Sequence, residues 1–171
     1  MMRLRFRDII VLVIISLFFS LTHPLILYAV PKGDKSEAEV LDSAERFFIN
    51  LKERKYTDAW NTLTEESRFT IIDDVYKSIK KAGGDIEKEI VATDFSNSGT
   101  IFKTYWDAFL DNFNPDLVLK ESKWEIKDIE NDKAIIILKY IKSEAIAELK
   151  LHKENGKWRV GLIESFWTMK R

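Results

Sequence analysis

The apolar residues of this chain change their spacing near Leu117, and that change constrains the fold more than any other feature. Between residues 37 and 113 they recur three and four positions apart, which is the period of one face of an α-helix. From Leu117 onward they alternate with polar residues, which is the period of a β-strand. Helices followed by strands indicate an α+β fold, with the helices packed on one face of a curved, four-stranded antiparallel meander.

Start and stop signals divide the first block into helices. Ser36 and Glu39 form a capping box ahead of the first helix. Thr57 is predicted to cap a short second helix and Thr64 a longer third one, which Gly83–Gly84 ends. A weaker helix is expected from residue 85 to residue 92, and a further one from residue 100. The residues predicted to face inward in the third and last helices are Phe69, Ile72, Val75, Tyr76, Ile79, Ile101, Tyr105, Phe109 and Phe113.

The second block predicts four strands. Trp124 and Ile126 mark the first, and residues 134–141, apolar on both faces, indicate a central second strand. The third covers residues 145–152, the pair Asn155–Gly156 predicts a tight hairpin, and the fourth runs from Lys157 to about Trp167. The residues expected to be largely buried across both blocks are Phe47, Phe48, Leu51, Trp60, Ile72, Ile137, Leu149, Trp158 and Val160.

The N-terminal residues resemble an export segment. Arg3, Arg5 and Arg7 precede a run from Ile9 to Pro31 that carries no charge. Residues 1–30 are therefore predicted to be either a signal peptide or a signal-anchor helix that crosses the membrane through residues 9–30. In both readings the arginines stay in the cytoplasm, so the rest of the chain is expected outside it, in the periplasm or at the cell surface. Residues 31–36 form a linker, and residues 37–171 the folded domain.

Composition excludes several functions. The chain has 27 basic and 28 acidic residues, and three of the basic residues belong to the export segment. The domain is therefore slightly acidic, which argues against nucleic acid as a partner because that affinity comes from neutralising phosphates. There is no cysteine and the domain has one histidine, His152, so neither a metal site nor a cofactor is expected.

Candidate catalytic groups are few. His152 alternates with Leu149 and Leu151 and is predicted on the polar side of its strand. Asp107 and Asp111 share a helix face, where solvation is the ordinary outcome. The aromatic side chains are the remaining signal, because several of them together suit an apolar pocket. The candidate ligand-binding residues are Tyr56, Trp60, Tyr105, Trp106, Tyr140 and Trp158.

Two motifs resemble those of a known superfamily. Ala44, Phe47, Leu51, Tyr56, Ala59 and Leu63 fill a recurrent helical pattern, and Gly156, Lys157, Trp158 and Val160 fill the pattern of a closing strand. Together they resemble the nuclear-transport-factor-two-like superfamily, which includes ketosteroid isomerase and SnoaL-type cyclases, and its exported bacterial branch most closely. The resemblance implies a cone-shaped domain whose enzymes place an acidic residue or histidine, with a tyrosine, between helices and sheet.

The scarcity of catalytic groups, together with the resemblance, favours a non-enzymatic domain that binds a small hydrophobic ligand or a protein. One variant of this reading, which the resemblance implies, is an accessory subunit of an envelope complex. The alternative is an isomerase, cyclase or hydratase that uses an acidic residue in the cone cavity. A buried pair of aspartate and tyrosine facing one pocket would favour the enzyme. A cavity filled by tryptophan and phenylalanine would favour the binding domain.

Overall fold

A computed structural model describes residues 35–143 and 145–166, and the predicted export segment and Trp167 lie outside these ranges. The elements within them are α1 (Lys35–Lys52), α2 (Tyr56–Asn61), α3 (Glu65–Lys81), α4 (Lys88–Ser96), α5 (Thr100–Asn112), α6 (Pro115–Leu119), β1 (Ser122–Glu130), β2 (Lys133–Tyr140), β3 (Ile146–Glu154), β4 (Lys157–Gly161) and α7 (Leu162–Phe166). The predicted α+β fold with a four-stranded antiparallel sheet is confirmed. α1 begins two residues inside the segment predicted as a linker.

The helix caps follow the predictions in part. Thr64 caps α3 as predicted, because its side chain accepts a hydrogen bond of 3.1 Å from the backbone N–H of Ser67. The prediction for Thr57 was wrong: α2 begins at Tyr56, its N-cap is Lys55, and Thr57 lies inside the helix. The early start brings Tyr56 into the core, where it is 9% exposed.

The buried faces of the helices contain fewer residues than the sequence pattern predicted. Phe69, predicted to face inward, is 65% exposed, because the buried positions of α3 are Ser67 and Ile71. In α5 the fully buried residues are Phe102 and Trp106, one position after the predicted pair Ile101 and Tyr105, which are half-buried. The weaker helix α4 begins at residue 88, three residues later than expected.

The sheet has the order β1-β2-β3-β4, and β2 is an inner strand as predicted. Asn155 and Gly156 both have positive φ, 51° and 75°, as the predicted tight hairpin requires. The covered face of the sheet carries the buried residues Ala134, Ile136, Leu138, Leu149, Leu151, Trp158 and Val160. α1 and α6 both contact the sheet. Of the residues predicted to be buried, Ile72 and Ile137 are half-buried, and the others are buried.

The fourth strand ends earlier than predicted. β4 stops at Gly161 and the chain enters α7, whereas the alternation had suggested a strand to about Trp167. The reason is Glu164, which is 9% exposed and turns inward. Its Oε1 accepts a bond of 2.7 Å from Thr64 Oγ1, and its Oε2 accepts one of 2.5 Å from Ser67 Oγ. These bonds hold α7 against the first turn of α3.

No helix within residues 35–143 and 145–166 is long and apolar enough to cross a membrane.

Candidate functional site

An open groove lies between α3 and α5, which both pack against α4. Its volume is about 830 Å³, within the range of small-molecule sites. The lining residues run from Asp74 to Ala82 along α3 and its C-cap, and from Thr100 to Ala108 along α5. Each stretch is about 12 Å long, because an α-helix rises about 1.5 Å per residue. The walls are mostly apolar, formed by Val75, Ile79, Ala82, Ile101, Tyr105 and Ala108.

Tyr105 is the predicted ligand-binding residue that lines this groove. Its ring is half-buried, and its hydroxyl is enclosed without a hydrogen-bond partner among the described residues. Burial, with the negative charge of Asp74, raises the pKa of this hydroxyl far above its usual value. Tyr105 therefore stays neutral at any physiological pH and can donate a hydrogen bond. An unpaired buried hydroxyl costs about 1–3 kcal/mol, so a polar atom that reached it would be stabilised.

The rim of the groove is polar. Lys77 at the rim forms an ion pair of 2.5 Å with Asp73, which also binds Lys88 at 2.6 Å. Hydrogen bonds from Lys77 and Lys88 hold the pKa of Asp73 below its usual value. The Lys88 ammonium also lies 4.6 Å from the centroid of the exposed Phe69 ring. These contacts tie α3 to α4 beside the groove.

Four of the six predicted aromatic residues form one cluster around Trp106. The Trp106 ring centroid lies 6.2 Å from that of Tyr56, 6.5 Å from that of Trp60 and 5.1 Å from that of Tyr105. Trp106 is fully buried, and Tyr56 and Trp60 are 9% and 8% exposed. The space beside the cluster is filled by Phe47 and other phenylalanines. This cluster is a packed core, and Tyr105 connects it to the groove.

The other two predicted residues lie elsewhere. Tyr140 is at the end of β2, and its hydroxyl donates a bond of 3.1 Å to Glu121. Trp158 is buried in β4, and the Lys153 ammonium lies 5.5 Å from the centroid of its ring. Neither residue lines the groove.

An aspartate and a tyrosine do meet on the surface. Tyr56 Oη donates a bond of 2.5 Å to Asp107, and Arg54 Nη1 lies 2.6 Å from the same carboxylate oxygen. Burial and then the bond to Asp107 raise the pKa of the Tyr56 hydroxyl, which makes it a weaker acid. The Asp107 side chain is 53% exposed and is neutralised by Arg54. This arrangement is that of a partly exposed ion pair, in which Arg54 and Tyr56 share one carboxylate oxygen of Asp107.

The remaining chemical candidates do not converge. His152 lies on the outer side of the sheet, between Lys133 and Arg159 on the neighbouring strands. In the part of the chain that the structure describes, no three metal-binding side chains are close enough to hold an ion.

The sequence did not reveal the groove as such. Val75, Ile79 and Ile101 were predicted to face inward, and their helical spacing is the same whether the partner is a core or an open groove. The open groove arises because α3 and α5 both pack against α4, and this arrangement cannot be seen in the helical spacing.

Comparison of the chain with known protein families, with curated proteins and with solved structures finds no match. Function is therefore inferred from the site alone.

Proposed function

We propose that this domain is a non-enzymatic binding module and that a small hydrophobic ligand occupies the groove between α3 and α5. The observation that carries the proposal is an apolar groove of about 830 Å³ lined by Tyr105, whose buried hydroxyl has no hydrogen-bond partner among the described residues. Apolar walls with few polar groups suit a ligand held by burial and oriented by one hydrogen bond. We expect a mostly hydrocarbon ligand that bears a single carbonyl or hydroxyl oxygen.

The interior favours binding over catalysis. An isomerase, cyclase or hydratase of the cone type would need an acidic residue in a cavity between helices and sheet. The described interior is instead packed with Phe47, Phe48, Phe102 and Trp106, each at most 1% exposed. The buried acid Glu164 has both carboxylate oxygens hydrogen-bonded to hydroxyls, which suits a structural role. These observations support the binding module over the enzyme.

A bulky residue in the groove tests the proposal. Thr104→Trp places an indole on the α5 wall, where Thr104 is exposed and lines the groove. The probe is 1-anilinonaphthalene-8-sulfonate, an anionic dye with apolar rings, titrated into the full-length chain and followed by its fluorescence. We expect saturable binding of one dye molecule in the groove. This binding should be weakened about tenfold or more in Thr104→Trp, since filling the groove removes more than about 1.4 kcal/mol of apolar contact.

Thr93→Trp is the matched control, because Thr93 is an exposed threonine on α4 that does not line the groove. Comparing the two variants in the same full-length chain cancels any dye bound by the N-terminal segment. Equal dye binding by Thr104→Trp and Thr93→Trp, with both variants folded by circular dichroism, would exclude the groove as the site.

The location of the domain is part of the same proposal: an extracytoplasmic, cone-like module of the nuclear-transport-factor-two-like kind, accessory to an envelope complex. The support is Arg3, Arg5 and Arg7 ahead of an uncharged run. Alkaline phosphatase, which is active only outside the cytoplasm, fused after Arg171 is expected to be active. β-Galactosidase at the same position is expected to be inactive, and the reverse pattern would exclude this location.

A further inference from the structure

Three large apolar side chains are exposed at the end of the sheet that carries the β2–β3 hairpin. Ile141 and Ile146 are 58% and 61% exposed, and Leu117 of α6 is 40% exposed. Leu117 belongs to this end because its carbonyl oxygen accepts a bond of 2.8 Å from Ser122, which pairs with Tyr140. We call Leu117, Ile141 and Ile146 the apolar tip. Grouped exposed apolar residues mark interaction surfaces, whereas scattered ones do not.

Two lysines without ion-pair partners among the described residues lie beside the apolar tip on one face of the sheet. Lys123 of β1 lies directly opposite Lys139 of β2, and Lys139 lies opposite Ile146 of β3. Neither lysine forms an ion pair with any other residue that the structure describes. Like charges placed opposite each other destabilise a sheet, so an anion beside this pair would stabilise it. Lys142, in the hairpin itself, pairs with Glu121 at 2.6 Å.

We infer that the apolar tip docks on an anionic phospholipid surface. Ile141 and Ile146 enter the boundary between headgroups and acyl chains, and Lys123 and Lys139 pair with lipid phosphates. Interfacial binding of this kind adds apolar burial to electrostatic attraction, and each lysine near an anionic bilayer contributes to the second. A second copy of the chain fits less well, because a two-fold contact through the tip would bring the unpaired lysines of both copies together.

The absence of cysteine allows a single reporter at the tip of the full-length chain. Ser143→Cys, in the exposed hairpin, is labelled with the environment-sensitive fluorophore NBD. Vesicles are either equimolar phosphatidylcholine and phosphatidylglycerol or phosphatidylcholine alone, each with nitroxide-labelled lipid. We expect a shift of emission to shorter wavelength and quenching with the anionic vesicles, and loss of both at high salt or without the anionic lipid.

Asp132→Cys is the control label, because the β1–β2 turn lies at the opposite end of the antiparallel sheet. If the N-terminal segment alone brings the chain to the bilayer, the label at position 132 should be quenched as much as the label at position 143. Ile141→Ser with Ile146→Ser, and separately Lys123→Gln with Lys139→Gln, should each lower the equilibrium constant for tip docking about tenfold. All four positions are exposed, so both double variants are expected to fold, as circular dichroism will verify.

Three results would overturn the inference. Equal quenching at positions 143 and 132 would mean that the tip makes no contact of its own. An equal response to neutral and anionic vesicles would remove the role of the lysines. A shift that depends on protein concentration without vesicles would assign the tip to a second copy of the chain.

Discussion

Trp106→Ala is expected to lower the free energy of unfolding by about 3–5 kcal/mol, the range for truncating a buried tryptophan. Trp106 is fully buried, and the aromatic rings that contact it belong to three helices, α1, α2 and α5. The closest neighbours are Tyr105 and Phe109, with centroids 5.1 Å and 5.5 Å away. Because α1, α2 and α5 meet at this ring, the cavity left by alanine cannot close without moving a helix. Urea unfolding followed by far-ultraviolet circular dichroism measures the change.

Trp106→Phe separates packing from hydrogen bonding. The Trp106 Nε1–H is buried without a hydrogen-bond partner among the described residues, so its removal sacrifices no bond. We therefore expect Trp106→Phe to cost clearly less than Trp106→Ala. A loss below about 1 kcal/mol for Trp106→Ala would place this residue in a loosely packed or solvated site and contradict the described core.

Local signals predicted the elements well where the stabilising contact is also local. Thr64 caps α3 through a bond to a residue three positions away. The Asn155–Gly156 turn depends on the conformational freedom of its own two residues. The apolar run of β2 favours an inner strand, and β2 pairs with β1 on one side and with β3 on the other. In each case the sequence neighbourhood contains the whole physical cause.

The features that the sequence did not predict concern residues whose position depends on contacts with distant parts of the chain. The alternation after Lys157 favoured a strand up to Trp167, yet Glu164 leaves that pattern to reach Ser67, 97 residues earlier. Trp106 was a candidate for ligand binding, because an aromatic residue looks the same in sequence whether it lines a pocket or fills a core. Only the arrangement of α3, α4 and α5 shows that Tyr105 lines the groove while Trp106, the next residue, is sealed inside.

Ser67→Ala is expected to destabilise the domain by about 2–4 kcal/mol, through two lost hydrogen bonds of which one involves a charge. Ser67 Oγ donates to Glu164 Oε2 at 2.5 Å and accepts from the Ile163 N–H at 3.1 Å. Ser67 is fully buried and Glu164 nearly so, and therefore water cannot replace either bond. Urea unfolding gives the size of the loss. Ser78→Ala is the control on the same helix, because Ser78 is exposed, and it should stay within about 0.5 kcal/mol.

A double-mutant cycle with Glu164→Gln tests whether the loss arises at the carboxylate. A neutral amide needs fewer compensating bonds when buried, so Ser67→Ala should cost at least about 1 kcal/mol less in the Glu164→Gln background. Additive costs would mean that Ser67 stabilises the domain only through the Ile163 N–H. Coupling of the expected size would show that the buried carboxylate stabilises the contact between α7 and the start of α3, the helix that forms one wall of the groove.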